Sequence, residues 1–281
     1  MVFKNINRFF LSIIFFSSIN IQYSYSQDTT NYKEPSNLDV SIFRAINNSR
    51  TNVFDKIVFV TDKSILPVSI LIPSILFTVS RINKNYYDEN SSVLCALSEA
   101  TSVAFTFGIK MLVKRPRPFV VLKDVKRNKD DLSFTDPYSF PSGHTSTAFS
   151  IATSLTLRYP DKPFLITGLY FYSTVIALGR IYLGVHYPTD VLGGMLIGAG
   201  SAVLIHSLRK EIISGKNSLF NERGREDKNS NSNLTSFILL SFVTSDVVNY
   251  FLTKSDSKFL NKVRMDLSNS DYYKINLSYQ F

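Results

Sequence analysis

Residues 141–157 read PSGHTSTAFSIATSLTL, and residues 180–190 read RIYLGVHYPTD. Each leads a compact polar group into an apolar run. Ser142 is a favoured N-cap, Gly143 lets the main chain approach a ligand closely, and the run 148–157 reads as the helix that follows. Pro188 suits a first helical position, and residues 191–208 carry no charge for 18 positions. Working outward, residues 110–118 read KMLVKRPRP after a stretch, 91–109, whose only charge is Glu99. Pro116 is expected to end that helix, because the residue before a proline is pushed out of the helical region. The pattern predicts helices with polar groups gathered at their ends.

Two further stretches, 64–80 and 164–179, are free of charge, while 145–157 is shorter. Their lengths straddle the roughly 18–20 residues needed to cross a bilayer. We read them as membrane spans, with a buried bundle in a soluble protein as the alternative the lengths leave open. Charge placement supports the first reading. Arg81 and Lys84 follow the first span, Arg158 and Lys162 the third, and Arg209, Lys210 and Lys216 the fifth, so all fall on one side, the cytoplasmic side under the positive-inside rule. The polar groups then fall on the other side. Pro67 and Pro73 lie within the first span, where membrane helices tolerate proline. The expected fold is all-α, a membrane-embedded bundle of about five or six helices.

The polar groups share a spacing. Six residues separate Lys110 from Arg117, Pro141-Ser142-Gly143-His144 follows, and Arg180, His186 and Asp190 come at intervals of five and three. This arrangement resembles the type 2 phosphatidic acid phosphatase superfamily, in its membrane lipid phosphatase branch, whose pattern is Lys-x6-Arg-Pro, Pro-Ser-Gly-His and Ser-Arg-x5-His-x3-Asp. The resemblance covers roughly residues 38–208. One position departs, since Gly179 stands where the family usually has Ser. Arg115-Pro116 and Arg117-Pro118 are adjacent Arg-Pro pairs, and the choice of Arg117 rests on the family spacing alone.

The chemistry of these residue types fits a phosphoryl centre. Negative charge on the non-bridging and leaving oxygens calls for fixed cationic and amide donors. Lys110, Arg117 and Arg180 are the candidate clamps, with Arg able to donate bidentately. Ser142 and Gly143 add donors at a helix N-terminus. His186 is read as a nucleophile attacking phosphorus to give a phosphohistidine. Asp190, on the same helical face or first turn, holds its other ring nitrogen. His144 then serves as the acid that protonates the leaving alkoxide and later takes a proton from water. The resemblance implies these same roles, no metal and no cofactor. The third histidine, His206, lies in an apolar run and reads as a structural group.

The formal charge is +9, and residues 110–129 hold eight Lys or Arg against Asp124 alone among acidic residues. That stretch suits an anionic headgroup or membrane surface; no nucleic-acid motif accompanies it. The substrate implied is a lipid phosphate or diphosphate. Alternatives are a soluble secreted acid phosphatase of the same superfamily, a binding protein that holds the anion without turnover, and a haloperoxidase with a vanadate site. A single cysteine, Cys95, excludes an intramolecular disulfide.

The ends carry further expectations. Lys4 and Arg8 precede the apolar run 9–21, and Ser24-Tyr25-Ser26 suits a signal peptidase, so residues 1–26 read as a signal peptide or, alternatively, an uncleaved anchor. Residues 27–63 form an exported N-terminal segment, 64–208 the catalytic core, and 209–281 a polar linker with a C-terminal extension. Within the last, 234–252 reads as a sixth span or an interfacial helix. Residues 273–281 alternate like a strand, either an ordinary one or one resembling the last strand of an outer-membrane barrel. The expected location is a bacterial inner membrane with the site facing the periplasm. A soluble periplasmic or outer-membrane-associated protein is the alternative.

Overall fold

The structure is a computed structural model that describes residues 37–127, 136–222, 225, 227, 263–269 and 273–279. The stretch 1–26 read as a signal peptide, the lead-in before residue 37 and the apolar run 234–252 lie outside these residues. Helices run in the order α1 (Leu38–Asn48), α2 (Asn52–Ile82), α3 (Tyr86–Val113), the single turn α4 (Pro118–Val121), α5 (Gly143–Arg158), α6 (Pro163–Tyr182), α7 (Pro188–Ser207) and α8 (Arg209–Leu219). The all-α expectation holds for this bundle. Beyond it, β1 (Val263–Asn269) pairs antiparallel with β2 (Tyr273–Tyr279), Val263 opposite Tyr279 and Asn269 opposite Tyr273.

Local chemistry sets the helix limits. Asn37 caps α1 by accepting from Val40 N at 2.9 Å, and Thr51 caps α2 by accepting from Phe54 N at 3.2 Å. The first long helix therefore starts at Asn52, twelve residues before the charge-free run. Pro67 and Pro73 sit inside α2 without ending it. At the end of α3, Lys114 turns left-handed with φ 49°, and Pro116 lies just beyond.

α5 is the central helix, packed against α7, α3 and α6. Its inner positions are small or hydroxylic, Ser146, Ala148, Ser150 and Ala152 among them, and all are buried. α7 meets it through glycines. A Cβ at Gly194 would lie 2.6 Å from the Ser142 carbonyl oxygen, and one at Gly198 would lie 2.2 Å from that of Ser146. Only hydrogen fits at either place, so the two backbones approach as small-residue membrane interfaces do. Ser146 Oγ also bonds the hydroxyls of Ser102 and, at 2.8 Å, Thr106 on α3.

Apolar packing closes the remainder. One cluster joins Ile72, Leu76, Cys95, Leu155 and Tyr159. A second packs Val40 and Phe43 of α1 against Ala177, Ile181, Tyr187 and Val191. Four helices, α2, α3, α6 and α7, are long and apolar enough to cross a membrane, and well under half of each apolar window is buried inside the protein. Leu66, Phe107, Phe171 and Leu196 point outward. Residues 145–157, read as a shorter span, form instead the buried 16-residue centre of the bundle, because neighbours cover α5 all round.

The basic clusters at 81, 158 and 216 meet at one end. Glu89 is bonded by Lys216 at 2.7 Å and Arg81 at 3.0 Å, while Arg158 reaches Ser91, Asp227 and the Tyr87 carbonyl. The Lys-Arg, Ser-Gly-His and His-Asp groups lie at the other.

The glycine contacts predict an asymmetric response in α7. Gly198→Ala should lower stability by about 1–3 kcal/mol, because the Ser146 carbonyl cannot retreat. Gly200→Ala, which meets nothing within 4 Å, should leave it unchanged or slightly raised. Thermal unfolding in detergent would compare the two.

Candidate active site

The site forms where α3, α5 and α6 end or begin and α7 starts. A backbone hydrogen bond from Ser142 N to the Asp190 carbonyl, 2.9 Å, joins the start of α5 to the start of α7. The turn between α6 and α7 doubles back on Arg180, whose carbonyl accepts from Val185 N and His186 N at 3.2 and 3.3 Å. Gly184 makes this reversal with φ 78°; a Cβ there would strike Val125 at 2.6 Å. Asn47 of α1, fully buried, braces the same turn by donating to the carbonyls of Tyr182 and Lys126, each at 2.8 Å.

His186 is thereby buried to 2% exposure. Its Nε2 faces Arg117 Nη1 at 3.3 Å, and its Nδ1 lies 3.6 Å from Asp190 Oδ2. A ring with its proton on Nδ1, toward the carboxylate, leaves the Nε2 lone pair for an electrophile. Burial, then the nearby Arg117, Arg180 and Lys110, hold the His186 pKa well below the ordinary imidazole value.

The three clamp residues converge on this ring, which feels the field of each. Arg117, 2% exposed, donates Nε to the Asp136 carbonyl at 2.7 Å and Nη1 to the Val185 carbonyl at 2.9 Å. Burial lowers its pKa to about 10, which still leaves it cationic at neutral pH. Lys110 Nζ reaches the Tyr138 carbonyl at 2.6 Å and Asp136 Oδ1 at 3.1 Å. Arg180 pairs with Asp62, and its Nε is buried without a hydrogen bond. His144, at the first turn of α5, keeps 38% of its side chain exposed, with Nε2 3.7 Å from Asp62 Oδ1.

Ser142 behaves differently from the expectation of a capping serine. Its Oγ pairs with Thr145 Oγ1 at 2.9 Å, no side-chain cap bond forms, and its N–H is taken by Asp190. The first-turn N–H groups beyond it, beginning with Gly143, remain as helix-end donors. The glycine at 179 has a packing reason, because a Cβ there would press on Val58 Cγ1 at 3.2 Å. His206 lies 16 residues along α7 from Asp190, about 24 Å of helix rise, and takes no part in the site. Lys114 is exposed at the C-cap of α3.

Two acidic residues escaped the sequence reading. Asp62 stands between Arg180 and His144, and Asp136 bridges Lys110 and Arg117, its Oδ2 3.2 Å from Arg117 Nη2. Burial alone would raise the Asp136 pKa, but Arg117 and Lys110 hold it below the usual carboxylate value. The signal for Asp62 was an ionisable residue abutting an apolar helical run; Asp136 had none. The structure also separates the adjacent Arg-Pro pairs. Arg117 turns inward to His186, while Arg115 turns to Asp39 and Asp190.

Fixed cations around one buried imidazole, backed by a carboxylate, with a second imidazole nearby, have the chemistry that phosphoryl transfer calls for, at one end of a helical membrane bundle. Residues 92–214 match the PAP2 superfamily. Undecaprenyl-diphosphatase BcrC of Bacillus subtilis is 26% identical over 166 residues, which cover 57% of this chain and 78% of that protein. The bacitracin transport permease protein BcrC of Bacillus licheniformis is 35% identical over 32% of this chain and 41% of its own length. Among solved structures, LpxE of Aquifex aeolicus has 28% identity and a TM-score of 0.48, covering 62% of this chain and 98% of that one. Residues 92–214 thus carry a PAP2 superfamily match, and the chain is a phosphatase and a membrane protein.

The environment of His186 predicts its ionisation. At pH 6 an ordinary imidazole, with a pKa of about 6.5, is mostly protonated. Nitrogen-15 NMR of histidine-labelled protein should show a neutral ring at that pH whose signal is lost in His186→Asn. A protonated His186 at pH 6 would contradict the role of burial.

Proposed function

We propose that the chain hydrolyses a lipid phosphate or diphosphate through a phosphohistidine at His186. The observation that carries this reading is the setting of that ring: Nδ1 toward Asp190, Nε2 toward Arg117, and Lys110, Arg180 and His144 close enough to act on it. In the first step Nε2 attacks phosphorus, the bond from phosphorus to the leaving oxygen breaks, and His144 gives that oxygen a proton. In the second, His144 takes a proton from water, the oxygen attacks phosphorus, and the P–N bond breaks to release inorganic phosphate. Lys110, Arg117, Arg180 and the N–H groups from Gly143 onward hold the equatorial oxygens, where charge grows in the transition state. Ser142 supports the site by holding Asp190 in register through its backbone.

The carboxylates of Asp62 and Asp136 occupy the cations that a phosphate would contact. A bound phosphate would replace Asp136 on Lys110 and Arg117, so no unpaired cation cluster is buried while the site waits for substrate. Asp62, beside His144 Nε2, would steady the protonated form of that ring.

The outward apolar faces of α2, α3, α6 and α7 favour a lipid over a soluble ester. With the site at the end of these helices, a headgroup reaches His186 while its chains remain in hydrocarbon, and each buried methylene contributes about 0.8 kcal/mol. The names of the relatives, undecaprenyl-diphosphatase among them, agree with that class. The gathering of Arg81, Arg158 and Lys216 at the opposite end supports a site that faces away from the cytoplasm, in a bacterial inner membrane.

Turnover should show this directly. With dioleoyl phosphatidate or polyprenyl diphosphate in mixed micelles, His186→Ala and His186→Asn should release no phosphate above background, and EDTA should leave the wild-type rate unchanged. The efficiency kcat/KM should exceed that on para-nitrophenyl phosphate. Wild-type turnover in either His186 variant would sink the nucleophile assignment. Equal efficiency on both esters, with recovery in the soluble fraction after alkaline extraction, would favour a soluble acid phosphatase instead.

A further inference from the structure

The residues Arg115, Asp39 and Thr189 form a group beside the site with no part in the mechanism above. Arg115 Nη1 donates to Asp190 Oδ1 at 2.7 Å and to Thr189 Oγ1 at 2.6 Å, and Nη2 donates to Asp39 Oδ2 at 2.6 Å. The guanidinium lies over the Tyr187 ring, 4.0 Å from its centroid. Asp39 in turn accepts from Thr189 N at 3.0 Å and Thr189 Oγ1 at 2.7 Å. Asp190 Oδ2 accepts from Tyr187 N at 2.7 Å.

We propose that Arg115 is a positioning residue for Asp190, anchored from the far side by Asp39 of α1. The proposal rests on His186 being the nucleophile. A carboxylate held by one oxygen can swing about its χ2 torsion, which is broad and roughly two-fold. Here one oxygen is fixed by Arg115 and the other by the Tyr187 amide, so the plane is set with Oδ2 toward His186 Nδ1. Nδ1 makes no hydrogen bond in this structure, but Oδ2 at 3.6 Å is a carboxylate facing it, and an N–H there would leave Nε2 unprotonated toward Arg117. The terminal nitrogens of Arg115 are directed at Asp190, Thr189 and Asp39, away from Lys110, Arg117 and Arg180, so this arginine does not clamp phosphate. Stacking on Tyr187, the residue next to the nucleophile, ties the same guanidinium to the turn that carries His186. Lysine cannot reproduce the fork, since one ammonium lacks the planar pair of donors that meets two carboxylates at once.

A kinetic cycle with phosphatidate in mixed micelles tests this, using the full chain and the variants Arg115→Gln, Arg115→Lys, Asp190→Asn and the double variant Arg115→Gln/Asp190→Asn. Arg115→Gln should lower kcat by about 10- to 100-fold, as expected for loss of one charge-assisted hydrogen bond, with KM within about twofold. Arg115→Lys should recover part of that loss. The double variant should be no slower than Asp190→Asn alone within about twofold, because both changes remove one function. A raised KM with kcat intact, or losses that multiply in the double variant, would overturn the proposal. Should Arg115→Gln fail to fold, the same test runs on Arg115→Lys and its double with Asp190→Asn. Full turnover in His186→Ala would remove the nucleophile reading and this proposal with it. An inactive His186→Ala with multiplying losses would remove the proposal alone.

Discussion

The close approach of α5 and α7 governs the rest of the structure. Gly194 and Gly198 bring the two backbones so near that Ser142 N can bond the Asp190 carbonyl. That single bond places the start of the helix carrying His144 against the start of the helix carrying Asp190. His186, four residues before Asp190, is then committed to face His144 across the end of the bundle. Helix dipoles add to the effect, because both N-termini point at the same small volume. A larger side chain at either glycine would separate the helices and, with them, the two imidazoles.

Electrostatics at this end is a balance among partners rather than an open cationic funnel. Arg180 with Asp62, Lys110 and Arg117 with Asp136, and Arg115 with Asp39 and Asp190 pair each site cation with a carboxylate. Uncompensated buried charge would cost several kcal/mol per ion, so the pairing is what lets the bundle hold so many cations at once. The pairs also sort the arginines by depth. Arg117 and Arg180 face the imidazoles, and Arg115 serves the carboxylate behind one of them.

Much of this was legible from residue order. Lys110, Arg117, His144, Arg180, His186 and Asp190 stand out by their spacing, and the helices by their apolar runs, whereas the caps at Asn37 and Thr51 emerge only in the structure and Ser142 makes no side-chain cap bond. The parts that stayed hidden depend on contacts between distant elements. Asp62 sits in a turn of α2 with Asp55, Lys56 and Lys63 nearby, and nothing local marks it as the one that crosses to Arg180. Those same charges concealed the true start of α2, because a search for uncharged runs begins at residue 64, whereas Thr51 caps the helix at Asn52. Arg115 and Arg117 are indistinguishable by chemistry; the left-handed turn at Lys114 and the buried Val185 carbonyl separate them. β1 alternates Val263, Met265 and Leu267 with Arg264, Asp266 and Ser268, a signal as regular as that of β2, yet short enough to be passed over beside the aromatic strand that follows it.

The two ends of the bundle differ in how they can give way. At the end away from the site, Glu89 is wholly buried between Arg81 and Lys216, and Arg158 is enclosed by Tyr87, Ser91 and Asp227. Removing any partner there strands a buried charge, so separating the helices at that end carries a steep penalty. At the end that holds the candidate site, Asp136 is half exposed, and the proposed exchange of its carboxylate for a phosphate would leave neither Lys110 nor Arg117 unpaired. On the proposed reading, an anion that takes the place of Asp136 leaves the buried pairs around Glu89 and Arg158 at the opposite end untouched.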